Sequence, residues 1–312
     1  MKRFLGKILT FILAFILLLA ILEYTYAALE NDYSYKADHL SKSENTYETI
    51  ILGSSHSYYG INPQLFDNST FNLAHVSQSL DLDVYLLNKY KTKTNFKTVI
   101  IPISYFSFQQ SLFESDESWR ATDYYYSYAL KEVPRKTKLF LLAHKRNIFP
   151  ALFESALSGK SARRYVNEHG FAKGDHDPSN ITLENALLAI ERHSMSRQQL
   201  KSEHTLNPQF KNLSNCIERN PGLRFILVSL PVHKYYANAR DSTQLYYVNN
   251  CIQSLVSSNQ NVSYYNLHAL PLSETDFKDA DHLSKNGADK VSSYLNELIT
   301  ILNAEYIGDD RK

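Results

Sequence analysis

The chain has 312 residues, 44% hydrophobic and 21% charged, a globular composition with ample apolar material for a sizeable core. Its 33 basic and 32 acidic residues nearly cancel, which argues against a polybasic surface for nucleic acid and against a polyacidic tail. One large α/β domain with an insertion fits this length better than two unrelated domains.

Lys2, Arg3 and Lys7 precede an apolar run from Ile8 to Leu22, interrupted only by Thr10. Counting on through Tyr24, Tyr26, Ala27 and Ala28 gives a span of about 20 residues, the length a membrane helix needs. Residues 1–28 are therefore expected to be an N-terminal membrane anchor, with a signal cleaved around Thr25-Tyr26-Ala27 as the alternative. Either way the positive flank stays inside and the rest of the chain lies outside the cytoplasm, at the cell membrane or secreted. Beyond this leader 30 basic and 31 acidic residues remain, so the ectodomain is close to neutral. Residues 29–46 are polar and charged and suggest a short stalk before a domain spanning 47–312.

That domain alternates two patterns. Thr49-Ile50-Ile51-Leu52, Phe71-Asn72-Leu73-Ala74, Val99 to Ile103, Phe225 to Val228 and Val262 to Tyr265 are compact apolar runs suited to buried parallel strands. Helical spacing separates them: Leu80, Val84, Leu87; Leu183, Leu187, Ile190; Phe210, Leu213, Ile217; Leu245, Val248, Ile252, Leu255. A last helix starts near Ser284 and carries Val291, Leu295, Leu298 and Leu302. Strands alternating with helices imply an α/β fold with a doubly wound parallel sheet, whose ligands sit at the carboxyl ends of the strands. The stretch of about 106–203 exceeds what a crossover needs and is expected to be an inserted helical cap. Its tyrosines 124–126 and 128 suit aromatic packing, with stacking on sugars as the alternative. Cys216 and Cys251, the only cysteines, fit either a disulfide or two buried thiols.

Two segments carry chemistry. Gly53-Ser54-Ser55 follows the first strand and enters a helix, so a serine there lies beside unpaired backbone N–H groups able to face an oxyanion. A serine in that place can also be a plain helix cap. Near the C-terminus, Asp279-Ala280-Asp281-His282 precedes the last helix. An Asp three residues before a His can hold one ring nitrogen and leave the other for a serine proton, which makes Asp279 the better candidate and Asp281 the residue expected to turn elsewhere.

Together the two segments resemble the SGNH/GDSL hydrolase family. Its first block matches Gly53-Ser54-Ser55 and its last, Asp-x-x-His, matches Asp279 to His282, with the elements of 48–303 in the family's order. The resemblance implies an SGNH (flavodoxin-like, three-layer) fold and a catalytic triad of Ser55, Asp279 and His282. The chain departs from the family at Ser54, where an aspartate is usual, and at Pro102-Ile103-Ser104-Tyr105, where the glycine and asparagine of the third block should stand. Oxyanion and pocket candidates are Asn72, Ser77 and Gln78 after the second strand, and His233 after the fourth. These departures, with the leader, look most like the membrane-tethered branch that includes D-alanyl-lipoteichoic-acid transfer proteins and alginate O-acetyltransferase relatives. That likeness implies an esterase or O-acyltransferase acting on an acylated carbohydrate polymer of the envelope, often beside a multispanning membrane acyltransferase. The rival expectation is an inactive scaffold that kept the fold. No cofactor is expected, and no metal: Asp175-His176-Asp177 is better explained as a polar turn before Pro178. His56 is expected to point away from Ser55.

Overall fold

All five apolar runs become strands of one sheet. In the computed structural model, which describes residues 2–42, 44, 46–131, 139–144 and 147–309, these are β1 (Thr49–Ile51), β2 (Thr70–Asn72), β3 (Thr98–Pro102), β4 (Arg224–Ser229) and β5 (Val262–Asn266). They stand in the order β2-β1-β3-β4-β5 and every neighbouring pair is parallel. β1 to β3 are buried along their whole length, which requires cover on both faces and explains why they read as compact, mostly apolar runs. The chain steps from β1 to β2 on one side, then returns to place β3 on the other. The doubly wound parallel sheet expected from the sequence is thus present, with its switch point between β1 and β3.

The helices in chain order are α1 (Lys2–Ala28), α2 (Asp32–Ser41), α3 (Ser55–Gly60), α4 (Leu80–Tyr90), α5 (Ala121–Tyr128), α6 (Phe140–Ala143) and α7 (Ile148–Ser158). There follow α8 (Leu183–His193), α9 (Arg197–Lys201), α10 (Pro208–Glu218), α11 (Lys234–Ala239), α12 (Ser242–Ser258) and α13 (Lys285–Asp309). Their starts obey local chemistry: the side chain of Asn207 accepts from the N–H groups of Gln209 and Phe210 ahead of Pro208, and that of Asp241 accepts from Gln244. Ile51, Ile100, Ile226 and Val228 of the sheet pack in one cluster with Val291, Leu295 and Ile299 of α13, the apolar face expected of the last helix.

The chain divides into two compact units, one of 1–38 and 112–165, the other of 39–111 and 166–312. The second holds the sheet. In the first, α1 is apolar enough to cross a membrane, with a mean hydropathy of 2.7 over Arg3–Ala28 and its most apolar stretch unburied. Its last turns are built into the unit. Tyr26 is buried in a cluster with Phe140 and Ile148, and the Glu23 carboxylate accepts from the N–H groups of Phe140 and Leu141, both at 2.8 Å. The Arg163 guanidinium donates to the Tyr26 carbonyl at 2.9 Å and to Asp123 at 2.7 Å. Tyr124 and Tyr128 are fully buried, so these two take the packing role, whereas Tyr126 is exposed. Within 29–46, expected as a polar stalk, Asp32–Ser41 form a helix in which Lys36 and Leu40 are buried. Cys216 and Cys251 are free, buried thiols, and burial raises both, to about 11 and about 12.

Candidate active site

The turn from β1 into α3 is made by Gly53 at φ +108°, a left-handed conformation that favours glycine. A Cβ there would sit 2.4 Å from Ser57 Oγ, so the position is closed to side chains on steric grounds as well. Its N–H donates to Asp83 Oδ1 at 2.7 Å, tying the turn to the first turn of α4. Ser55 is then the first residue of α3, half-buried, at the carboxyl end of β1. The N–H groups of Ser55 and His56 make no hydrogen bond among the described residues, as the first amides of a helix commonly do not.

Opposite Ser55 lies a folded-back loop. Phe277 and Leu283 form an antiparallel bridge, and Lys278 N–H donates to the His282 carbonyl at 2.9 Å. Ser284 N–H donates to Asp276, and His233 N–H donates to the carbonyl of Ala280. This frame presents Asp279 and His282 side by side. His282 Nε2 lies 2.8 Å from Ser55 Oγ, and His282 Nδ1 lies 2.9 Å from Asp279 Oδ1. The same Asp279 oxygen accepts from the N–H groups of Asp281 and His282, and Lys278 Nζ lies 3.1 Å from Oδ2. The Asp279 carboxyl is held below its ordinary range: burial opposes this, and the bond and charge of His282 outweigh it. With Nδ1–H donated to a carboxylate, the tautomer that leaves Nε2 free to accept the serine proton is the one the network selects.

Around this line stands a second layer that sequence reasoning missed. His56 does not face solvent: it is 5% exposed, and its Nδ1 lies 2.8 Å from Ser104 Oγ at the end of β3. The pair bridges the switch point of the sheet. His56 Nε2 points at Asp281 Oδ2, 3.6 Å away, too long for a hydrogen bond. Burial depresses the His56 pKa, so the ring is neutral and most simply carries its proton on Nε2, towards the carboxylate. Asp281 is not turned elsewhere, as its place beside the histidine suggested. It is 7% exposed and its Oδ1 lies 3.5 Å from His282 Nδ1. His193 of α8 stacks on Phe106 at 4.1 Å and bonds to the Tyr236 hydroxyl, closing the far side of His56. Burial pulls His193 down to about 3, so it too is neutral. His56, Asp281 and His282 offer ligand atoms within 4.8 Å of one another. Two of them are already committed, however: His282 holds Ser55 and Asp279, and His56 holds Ser104.

The remaining candidates fall as follows. Both Nδ2 protons of Asn72 are taken up by the carbonyls of Ser57 and Ile61, and its Oδ1 accepts from Ala74. Gln78 donates to Asp83 at 2.6 Å. Ser77 has φ +61°, in the turn between β2 and α4. His233 is buried, caps α11 by accepting from Tyr235 N–H, and lies 3.3 Å from Glu274. Asp177 caps a turn over 178–180, and His176 Nδ1 contacts the carbonyl of Phe277.

No protein-family model and no curated protein matches the chain. Twelve solved chains are similar to it in fold, three of which follow. They are a provisionally assigned acylhydrolase from Bacteroides fragilis (11% identity, 86% of this chain and 95% of that one, TM-score 0.41) and a provisionally assigned platelet activating factor from Streptococcus pneumoniae (11%, 93% and 98%, 0.42). The third is a GDSL-like lipase from Bacteroides thetaiotaomicron (9%, 87% and 100%, 0.41). These superpositions are loose, and the chemistry of this chain has to be argued from its own geometry.

Proposed function

We propose that this chain is a membrane-anchored serine esterase or O-acyltransferase of the SGNH type, with Ser55 as nucleophile, His282 as general base and Asp279 as its orienting carboxylate. The observation that carries the reading is the unbroken line from Ser55 Oγ through both nitrogens of His282 to Asp279, with steps of 2.8 and 2.9 Å. His282 takes the Ser55 proton as Oγ attacks an acyl carbonyl, then returns it to the leaving alcohol as the tetrahedral intermediate collapses. Water or a second hydroxyl, deprotonated by the same ring, resolves the acyl-enzyme and regenerates the serine. The developing oxyanion would be met by the backbone N–H groups of Ser55 and His56. A group from the loop carrying Ser77 and Gln78 would complete the hole.

Anchoring is supported by the last turns of α1. Cleavage near Tyr26 would strip unit one of a buried aromatic and of the carboxylate that caps α6. A catalytic unit held at the outer face of a membrane suits acyl exchange on an envelope polysaccharide, and a multispanning membrane acyltransferase could supply the acyl group.

The deciding experiment labels the full-length protein with a fluorophosphonate probe beside Ser55→Ala and His282→Ala. The expected outcome is covalent labelling of wild type, lost in Ser55→Ala and reduced about 10²-fold or more in His282→Ala. Wild type that is folded but unlabelled would turn the assignment towards a scaffold without catalysis.

A further inference from the structure

The carboxyl ends of β3, β4 and β5 enclose a cavity of about 220 Å³ that shares His56, Ser104 and Tyr236 with the triad's surroundings and excludes the triad itself. Its volume is about seven times a water's share of the liquid, room for a small molecule or one end of a larger one. None of the residues lining it is an aspartate or glutamate, while one is Arg240. That guanidinium is half-buried. Its Nε donates to the carbonyl of Ala237 and its Nη1 lies 3.2 Å from His268 Nε2. Nη2 makes no hydrogen bond, and no carboxylate stands within ion-pair distance of it, among the described residues. His268 stands exposed beside the cavity; partial desolvation of its ring and the neighbouring guanidinium pull it down to about 4, so its ring nitrogen accepts from Arg240.

Two exposed, neutral amides line the same cavity. Asn249 makes no side-chain hydrogen bond among the described residues, and Asn266 uses only its Oδ1, on the N–H of His268. The Tyr264 hydroxyl donates to Ser229 Oγ at 2.9 Å and walls the base of the cavity. A partly desolvated cation without a counter-charge is costly, and an oxyanion taking two parallel N–H bonds from the guanidinium edge would offset that cost. The place also agrees with the rule for doubly wound sheets, whose ligands sit beyond the carboxyl ends of the strands.

We propose that this cavity is a binding site for an oxyanion, the carboxylate or phosphate group of a small polar ligand, with Arg240 as the pairing cation and Asn249 and Asn266 as neutral donors. The proposal does not depend on the hydrolase reading, since neither Ser55 nor His282 lines the cavity.

The test is calorimetric titration of the detergent-solubilised full-length protein with succinate and, separately, with inorganic phosphate. Wild type is run beside Arg240→Gln, Arg240→Lys and Asn249→Leu, each checked for cooperative unfolding. Binding of at least one anion is expected, weakened about tenfold or more in Arg240→Gln and less in Arg240→Lys. Succinate alone binding identifies a carboxylate ligand, and phosphate alone a phosphate ligand. If Arg240→Gln does not fold, weakening in Asn249→Leu stands in its place. Failure of both anions to bind folded wild type at about 20 mM, or equal binding by folded wild type and Arg240→Gln, overturns the proposal. Ser55→Ala should bind as wild type does, so a failed fluorophosphonate experiment and a failed titration remain separate results.

Discussion

Asp281 stands between two imidazoles, and they respond in opposite ways. At His282 burial opposes the charged ring, but the carboxylates of Asp281 and Asp279 outweigh it and raise the pKa above the usual 6.5. At His56 burial wins and the ring stays neutral. In its proposed role of general base His282 works only when unprotonated, so activity should fall on the acid side through a limb placed above 6.5. Replacing Asp281 by Asn removes one of the raising charges, so the limb of log kcat/KM against pH, measured with a neutral activated ester, should move to lower pH. A limb that stays in place would mean that Asp281 does not act on His282. Asp83 shows the reverse chemistry: buried behind the Gly53 turn, its carboxyl is raised to about 7 by loss of water, which the bonds from Gln78 and Gly53 only partly offset. A carboxyl raised by folding contributes stability that is full below its unfolded pKa near 4 and lost as pH rises through 7. Asp83→Asn should therefore flatten the thermal-unfolding profile between about pH 4 and 7 and gain on the order of 4 kcal/mol over wild type at the upper end. A variant that tracks wild type across that range would show that Asp83 ionises in place without cost. Ser55, Asp279 and His282 were legible as candidates because each sits beside a recognisable element boundary. His56, Ser104 and His193 were not, because their meeting joins residues from distant parts of the chain: Ser104 lies 48 positions from His56, and His193 lies much farther along still.

Strands were the most legible elements, since a strand covered on both faces must be mostly apolar. Helix α2 was not legible. Its Asp32, Lys36 and Asp38 read as solvent-facing polarity, yet Lys36 is buried and its pKa is lowered to about 7 by lost hydration, only partly offset by Asp32. Helix α7 presents another departure from a soluble pattern. Ile148 is buried with Tyr26 and Phe140, while Phe149, Phe153 and Leu157, spaced four apart on the outer face, are 65%, 69% and 73% exposed. A helix apolar on both faces beside the end of the long apolar helix α1 is suited to the headgroup–acyl boundary of a bilayer. A spin label at Phe153→Cys in the nanodisc-embedded full chain should be relaxed by oxygen and shielded from a water-soluble nickel chelate. Free access for the chelate would place this face in water.

The proposed retention of the leader rests on how α1 ends. A signal peptide has no reason to supply a carboxylate cap to a helix over a hundred residues away, yet Glu23 does so for α6. Intact mass of the protein extracted from its native membranes should therefore include residues 1–28, and a species beginning near Ala27 or Ala28 would contradict the anchor. The apolar periodicities were enough to specify an α/β chain with five parallel strands and a last helix packed on them, because burial on a sheet leaves a local, repeating trace in composition. The apolar leader was visible for the same reason, but not its fate, which hinges on contacts made by Glu23 and Tyr26 with residues far along the chain. Nor could spacing reveal that Asp281 faces His282, that His56 reaches Ser104, or that Arg240 stands without a carboxylate beside a cavity. Such facts depend on which distant side chains folding brings within a few ångströms, and on how much water it removes from between them.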